Sequence, residues 1–420
     1  MKKIFSWVFV MLMLMAAGGL WAQEFKLDGY LNGGLGVVAD NNEDNDAYIK
    51  AFGVDSESNG YRFRFNGSYT NENKNAGARF RLQSQRRIDV AGYFSLAYAY
   101  GWAAFLENNI ITLTGGIIDD GTWTTADWWW NDDQGEGLGL LLKVSPIKGL
   151  DFGIGAYTIS QQSSGGNNIL SVGGKLPNYR DVMLKPEDAK YTFNAAYTLD
   201  TFRLGASFRM KNQAGWNPSA GDPPGDYPYT GREECSQLIA EFRFLGVKNL
   251  TAVVVGLFDT LEEFKDAGNI TLSETFGYKI DSLSLGLNAV QFLYNRGDTS
   301  VDPGLLFNLW GSYAINKVVP RLDLVYFMGG TSKTVLADKQ WERRGFAPTK
   351  KGSPDADDDL SVFSARPSIR INVDNRTFLE IGDMINFDSG NYDGAYKDSG
   401  DAQKKSRLTN VFYIDVKWSF

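Results

Sequence analysis

The sequence predicts an all-β chain folded as a transmembrane antiparallel up-and-down β-barrel of about 18 strands, with 16 the alternative. Three observations predict it. Apolar and aromatic residues recur at every second position in segments running from residue 24 to the C-terminus. From residue 106 onward, short turns alternate with long polar loops. After the N-terminal segment, no stretch approaches the roughly 18 to 20 continuous apolar residues that a membrane helix needs. A period of two puts alternate side chains on opposite faces of a strand. One face then suits hydrocarbon and the other water. Backbone groups in hydrocarbon must all be paired, so such strands are viable there only in a closed sheet.

Residues 1–22 stand apart from this pattern. Lys2 and Lys3 precede the apolar run from Ile4 to Ala17, and Gly18, Gly19, Leu20, Trp21 and Ala22 follow. That order of charged, apolar and small residues is a signal peptide cut after Ala22. No Cys follows the run, which argues against a lipid anchor. Residues 23–420 form the barrel.

The first strands alternate cleanly. Phe25, Leu27, Leu31, Leu35 and Val37 share one face of the opening segment. Tyr61, Phe63, Phe65 and Tyr69 alternate with Arg62, Arg64, Asn66 and Ser68. Ala78, Phe80 and Leu82 alternate with Arg79 and Arg81. The segment 47–54 is short and poorly alternating, and is the weakest candidate for a full strand. An even strand number with both ends on the periplasmic side requires one of the four early candidates to drop out.

Further along, the loops 119–136, 161–187, 212–234, 329–359 and 388–406 are long, with shorter ones at 259–268 and 295–302. The turns near 146–149, 200–201, 246–249, 281–282, 316–317 and 374–375 are short. Short turns on one side and long loops on the other are the anatomy of an outer-membrane barrel. In the hairpin 191–210, Tyr191, Phe193, Ala195, Tyr197 and Leu199 line up with Phe202, Leu204, Ala206, Phe208 and Met210 on one face. Asn194, Arg203, Ser207 and Arg209 take the other.

Energetics orient the arginine strands. A lipid-facing Arg near the bilayer midplane costs roughly 2–4 kcal/mol. Four of them outward would cost about 8–16 kcal/mol, against total stabilities of order ten. Arg62, Arg64, Arg79 and Arg81 are therefore expected to line the lumen, where they would bear on selectivity. The segment 119–136 reads DDGTWTTADWWWNDDQGE. It carries Trp123, Trp128, Trp129 and Trp130 among Asp119, Asp120, Asp127, Asp132, Asp133 and Glu136.

The last segment alternates Leu408, Phe412, Ile414, Val416, Trp418 and Phe420 with Thr409, Val411, Tyr413, Asp415, Lys417 and Ser419; Asn410 is the one break. A chain ending on Phe behind alternating aromatics resembles the closing strand of bacterial outer-membrane barrels. With the signal peptide, the alternation and the loop asymmetry, the whole mature length resembles a porin of the general or sugar-specific kind. The resemblance implies passive diffusion of small hydrophilic solutes, ions and sugars among them, with no cofactor and no covalent chemistry. It implies a place in the outer membrane, among its lipid and lipopolysaccharide. It also implies that the barrel-assembly machinery reads Phe412, Trp418 and Phe420. Porins commonly assemble as homotrimers, so the resemblance admits one here. In porins a long early loop folds into the barrel and sets acids against a basic wall, and residues 119–136 look like that loop. An aromatic girdle and a surface lid are the other readings of the segment.

Composition narrows the alternatives. There is no His, which removes His-dependent catalysis and His metal ligation. Cys235 is the single Cys, so no internal disulfide exists. An acidic pI argues against nucleic acid. No enzyme motif, catalytic residue or metal site emerges. The competing reading is a surface adhesin that binds a partner through its long outer loops.

Overall fold

Strands form where one apolar face alternates with a polar one, and they end where Asn, Asp, Gly and Lys allow the chain to reverse. The computed structural model describes residues 24–40, 47–52, 62–84, 94–118, 137–158, 189–213, 234–261, 269–296, 299–300, 304–329, 360–389 and 406–420. The signal segment 1–22 and the segment 119–136 lie outside the described residues.

In chain order the strands are β1 (Glu24–Asp40), β2 (Tyr48–Phe52), β3 (Arg62–Thr70), β4 (Ala76–Ser84), β5 (Phe94–Phe105), β6 (Ile111–Ile118), β7 (Gly137–Ile147) and β8 (Leu150–Thr158). Then come β9 (Ala189–Thr198), β10 (Phe202–Gln213), β11 (Glu234–Phe244), β12 (Leu250–Leu261), β13 (Asn269–Ile280) and β14 (Leu283–Arg296). The chain finishes with β15 (Thr299–Ser300), β16 (Gly304–Tyr313), β17 (Val318–Gly329), β18 (Leu360–Asn372), β19 (Thr377–Ser389) and β20 (Ser406–Ser419).

Each wall strand pairs antiparallel with its neighbour, and the sheet closes on itself as an 18-strand barrel. Closure occurs at β1. One edge of β1 pairs β20, from Tyr30↔Ser419 to Asp40↔Thr409. Its other edge pairs β3 from Glu24↔Thr70 to Asn32↔Arg62, and then β2 from Gly34↔Phe52 to Val38↔Tyr48. So β2 sits above β3 on the same edge and adds no wall position of its own. That disposes of the weak early strand candidate. β15 is a two-residue extension against the end of β14.

The two faces of the sheet differ sharply. Leu35, Leu140 and Ile154 are 54%, 58% and 56% exposed, and Phe152, Phe242, Leu309 and Trp418 are exposed beside them. On the alternate positions Asn32, Thr192, Ser207, Ser273 and Asp415 are fully buried. The exposed apolar face is the convex outer one, and the polar face is concave and inner. An apolar surface running right around the wall far exceeds the patches tolerated in water, whereas hydrocarbon accommodates it.

Turn chemistry agrees with the strand ends. Asn249, Asp281 and Asn316 hold φ of 65°, 48° and 53° in the connections β11–β12, β13–β14 and β16–β17. Asn and Asp tolerate this left-handed region better than other non-glycine residues. In β7–β8 the role falls to Gly149 at φ 83°, where a Cβ would lie 2.2 Å from the Thr198 carbonyl oxygen. Pro146, which sequence reading assigns to this turn, lies instead within β7, beside a register shift between Val144 and Ile147. In β18–β19, Asp374 Oδ1 accepts the backbone N–H groups of Arg376 and Thr377, each at 2.7 Å. Those bonds, led by the one from Arg376, hold its carboxyl below the usual carboxylate range.

Candidate functional site

The inner wall is the surface on which solutes or partners would meet polar chemistry. Its layout follows from register, because residues directly opposite in an antiparallel pair share a face. Arg62 lies opposite Asn32 and Arg64 opposite Tyr30. Arg81 lies opposite Asn66, and Arg79 opposite Ser68. All four arginines thus share the face of buried Asn32, while Phe63, Phe65, Phe80 and Leu82 share the other. β3 and β4 contain no acidic residue, so the two strands present a basic arc.

Aromatic rings and amides hold that arc. The Arg64 guanidinium lies 5.7 Å from the Tyr30 ring centroid, and Lys417 Nζ lies 4.4 Å from the same ring. Arg81 sits 4.7 Å from the Tyr98 ring. Its Nε donates to Asn66 Oδ1 at 2.9 Å, and Asn66 Nδ2 donates to Asp28 Oδ1 at 2.5 Å. Tyr98 and Tyr100 are in ring contact at 5.7 Å. Such stacking orients a guanidinium without neutralising it. Lys417 and the tyrosines escaped sequence reading as members of this group. They lie far from β3 and β4 in sequence or carry no charge, and only the β20–β1–β3 register brings them together.

A second polar group, also missed, spans β17 to β20. Arg321 donates to Asp323 through Nε at 2.6 Å and Nη2 at 2.7 Å, and Arg366 Nη2 approaches the same carboxylate at 3.4 Å. Arg370 donates to Glu380 Oε2 through Nε at 3.0 Å and Nη2 at 2.8 Å. The Tyr413 hydroxyl donates to Glu380 Oε1 at 3.0 Å, and Asn32 Nδ2 donates to Asp415 Oδ2 at 2.8 Å. Glu241 joins Arg203 and Arg243 in a smaller group on β10 and β11. Here acidic and basic side chains pair directly within the wall. Alternation with Ser364 and Ser368 is a faint sequence signal for Arg366 and Arg370; their acidic partners come from register alone.

Far from the basic arc, the inner face of β11 and β12 also carries a buried apolar cluster of Ile239, Val253, Val255 and Leu257. Neutral Ser273, Asn288 and Asn308 continue the wall, with Asn288 Nδ2 donating to Asn308 Oδ1 at 2.9 Å. Among the described residues, no group of Cys and acidic side chains converges on a metal-sized site.

The C-terminal aromatics lie on the outer face. Phe412 and Trp418 point outward and are about half exposed. Phe420 exchanges both backbone hydrogen bonds with Gly29, at 3.0 and 3.2 Å. Its ring stacks near Phe63 and Phe65 of β3, at 6.4 and 6.2 Å, and meets Trp418 at 5.2 Å. The constriction candidates Asp119, Asp120, Trp123, Trp128, Trp129, Trp130, Asp132, Asp133 and Glu136 lie outside the described residues.

A closed, even-numbered barrel, apolar outside and polar within, belongs to the class of transmembrane β-barrels. No family model matches the chain, and no curated protein does. Solved structures are similar to the chain over most of its length, at low identity. OpdL of Pseudomonas aeruginosa is 9% identical, with 94% of this chain and 99% of that one covered and a TM-score of 0.49. OprD of the same organism is 10% identical, covering 94% and 95%, with a TM-score of 0.48. The trimer form of OmpT, an outer membrane protein of Vibrio cholerae, is 11% identical, covering 95% and 100%, with a TM-score of 0.43.

Proposed function

We propose that the chain is an outer-membrane porin that lets small hydrophilic solutes, ions and sugars among them, diffuse passively through a water-filled lumen. One observation carries this reading: the wall closes with 18 strands around a polar inner face. Barrels of 16 to 18 strands leave an aqueous channel, whereas eight strands give an interior that side chains fill. Arg62, Arg64, Arg79 and Arg81 attract anions into the lumen and repel cations. Residues 119–136 narrow the passage from the other side. A field between that acidic segment and the basic arc orients water and favours polar over apolar solutes.

The same reading puts the chain in the outer membrane after removal of residues 1–22. Residues 408–420 are the segment that the barrel-assembly machinery reads, and copies associate side by side as a homotrimer. Osmotic swelling of proteoliposomes in neutral sugars tests the pore: swelling is expected at a rate that falls with sugar size. Folded barrel that gives no swelling would remove the porin reading in favour of an adhesin. Reversal potentials across a salt gradient test the arginines. Replacing all four by Ser should move the preference toward cations, and unchanged potentials would remove the selectivity role.

A further inference from the structure

Three aromatic side chains of β5 stand on the inner face. Register fixes them. Tyr98 lies opposite Arg81, Tyr100 opposite Arg79 and Trp102 opposite Gly77. They therefore share the face of the four arginines and form a column beside the basic arc. From Tyr98 to Trp102 the strand covers roughly 13 Å.

Glycines shape the wall around this column. A Cβ at Gly77 would lie 2.8 Å from Trp102 Nε1 and 2.9 Å from its Cε2. The indole thus lies over Gly77, one face against the wall and the other toward the lumen. On the far side of the column Tyr100 lies opposite Gly116, and Gly116 opposite Gly139. Neither carries a side chain, so the wall beside Tyr100 is bare backbone as far as Tyr157, opposite Gly139. Gly116 holds φ 126°, a conformation that a side chain would strain. Tyr100 and Trp102 are half-buried beside this recess, and Arg79 is exposed. None of β3, β4 and β5 carries an acidic residue to neutralise that guanidinium.

Rings and cation together select a particular solute. Aromatic faces stack on planar rings, and a guanidinium takes an anion through its forked N–H groups. Arg79 and Tyr100 are direct partners across the strand pair, so one molecule reaches both. The column is much longer than a single benzene ring. It has room for a planar ring and for a phosphate held away from that ring by a sugar.

We propose that the inner wall of β4–β6 binds nucleoside monophosphates, with the base on Tyr100 and Trp102 and the phosphate on Arg79. The proposal rests on the porin reading and names a solute class within it. The charge of the arc alone treats all anions alike, whereas the column retains those that carry a planar ring.

Equilibrium dialysis of the refolded protein in detergent against radiolabelled AMP tests it. Saturable binding of a single AMP per barrel is expected. Ribose 5-phosphate lacks the base and adenosine lacks the phosphate, and each should compete about tenfold more weakly than AMP. Trp102→Leu should remove most of the preference for AMP over ribose 5-phosphate. Arg79→Gln should weaken AMP and ribose 5-phosphate and spare adenosine. Equal competition by AMP and ribose 5-phosphate on the wild-type protein, or no saturable binding, would overturn the proposal, and that comparison needs no variant to fold. Conductance in KCl alone reports the pore separately. A barrel that conducts but ignores the base loses only this site, and one that distinguishes the base without conducting keeps the site and loses the porin reading.

Discussion

Replacing Gly29 by alanine tests how the barrel closes. A Cβ at this position would lie 2.2 Å from the Arg64 carbonyl oxygen and 2.6 Å from Phe420 Cζ. The first obstacle is backbone and yields only if the β1–β3 pairing at Gly29↔Phe65 opens. The second is a ring that can swing away, but only by leaving Phe63 and Phe65. Overpacking of this kind costs about 1–3 kcal/mol, and each lost ring pair adds about 0.5–1.5 kcal/mol. Gly29→Ala should thus destabilise the barrel by roughly 2–6 kcal/mol. Denaturant unfolding in detergent, followed by Trp fluorescence, reads that change. Adding Phe420→Ala should cost less than the two single effects summed, because the truncated side chain no longer collides with the new methyl. A coupling of about 1 kcal/mol is expected for groups in contact. A Gly29→Ala barrel within about 0.5 kcal/mol of wild type, the range of ordinary surface substitutions, would refute the claim that the terminal ring is seated over this glycine.

Two further outcomes follow from the polar groups. Arg370→Met leaves nearly buried Glu380 without its two guanidinium bonds and directly opposite Asp415. Breaking a buried pair from one side costs roughly 3–5 kcal/mol, toward the low end because Arg370 is itself a third exposed. Adding Glu380→Gln should restore most of the loss in the same unfolding assay, and a double variant as weak as the single would contradict the pairing. Asp374 supplies a pH dependence at the β18–β19 turn. Its carboxyl titrates below the ordinary value in the folded turn, so its contribution is complete above that value, about 3.9, and is lost as pH falls through the lowered one. Amide exchange at Arg376 and Thr377 should be slow at pH 6 and accelerate at pH 2–3 beyond the intrinsic trend. Asp374→Ala should abolish the difference, and equal protection in the variant would contradict the cap.

What could be read in advance tracks the physics that writes it into the chain. Hydrocarbon demands an apolar side chain at every outward position, so a run such as Phe202, Leu204, Ala206 and Phe208 announces a strand and its outer face together. Asn249, Asp281 and Asn316 mark reversals for an equally local reason, the left-handed backbone they tolerate. The segment around Tyr48–Phe52 was legible as weak, and its short hairpin with β1 explains why. Interactions that depend on register were not legible. Nothing local in Arg370 names Glu380 as its partner, since the turn between β18 and β19 decides that pairing. Lys417 and Arg64 meet over Tyr30 only because β1 closes the barrel between β20 and β3.

Single-channel recording in a planar lipid bilayer tests the central claim most directly. Purified, refolded protein should insert to give discrete ohmic steps of uniform size, with a reversal potential displaced toward anions. A folded barrel that inserts and carries no current, however long it is recorded, would contradict an open lumen and with it the account of the inner wall.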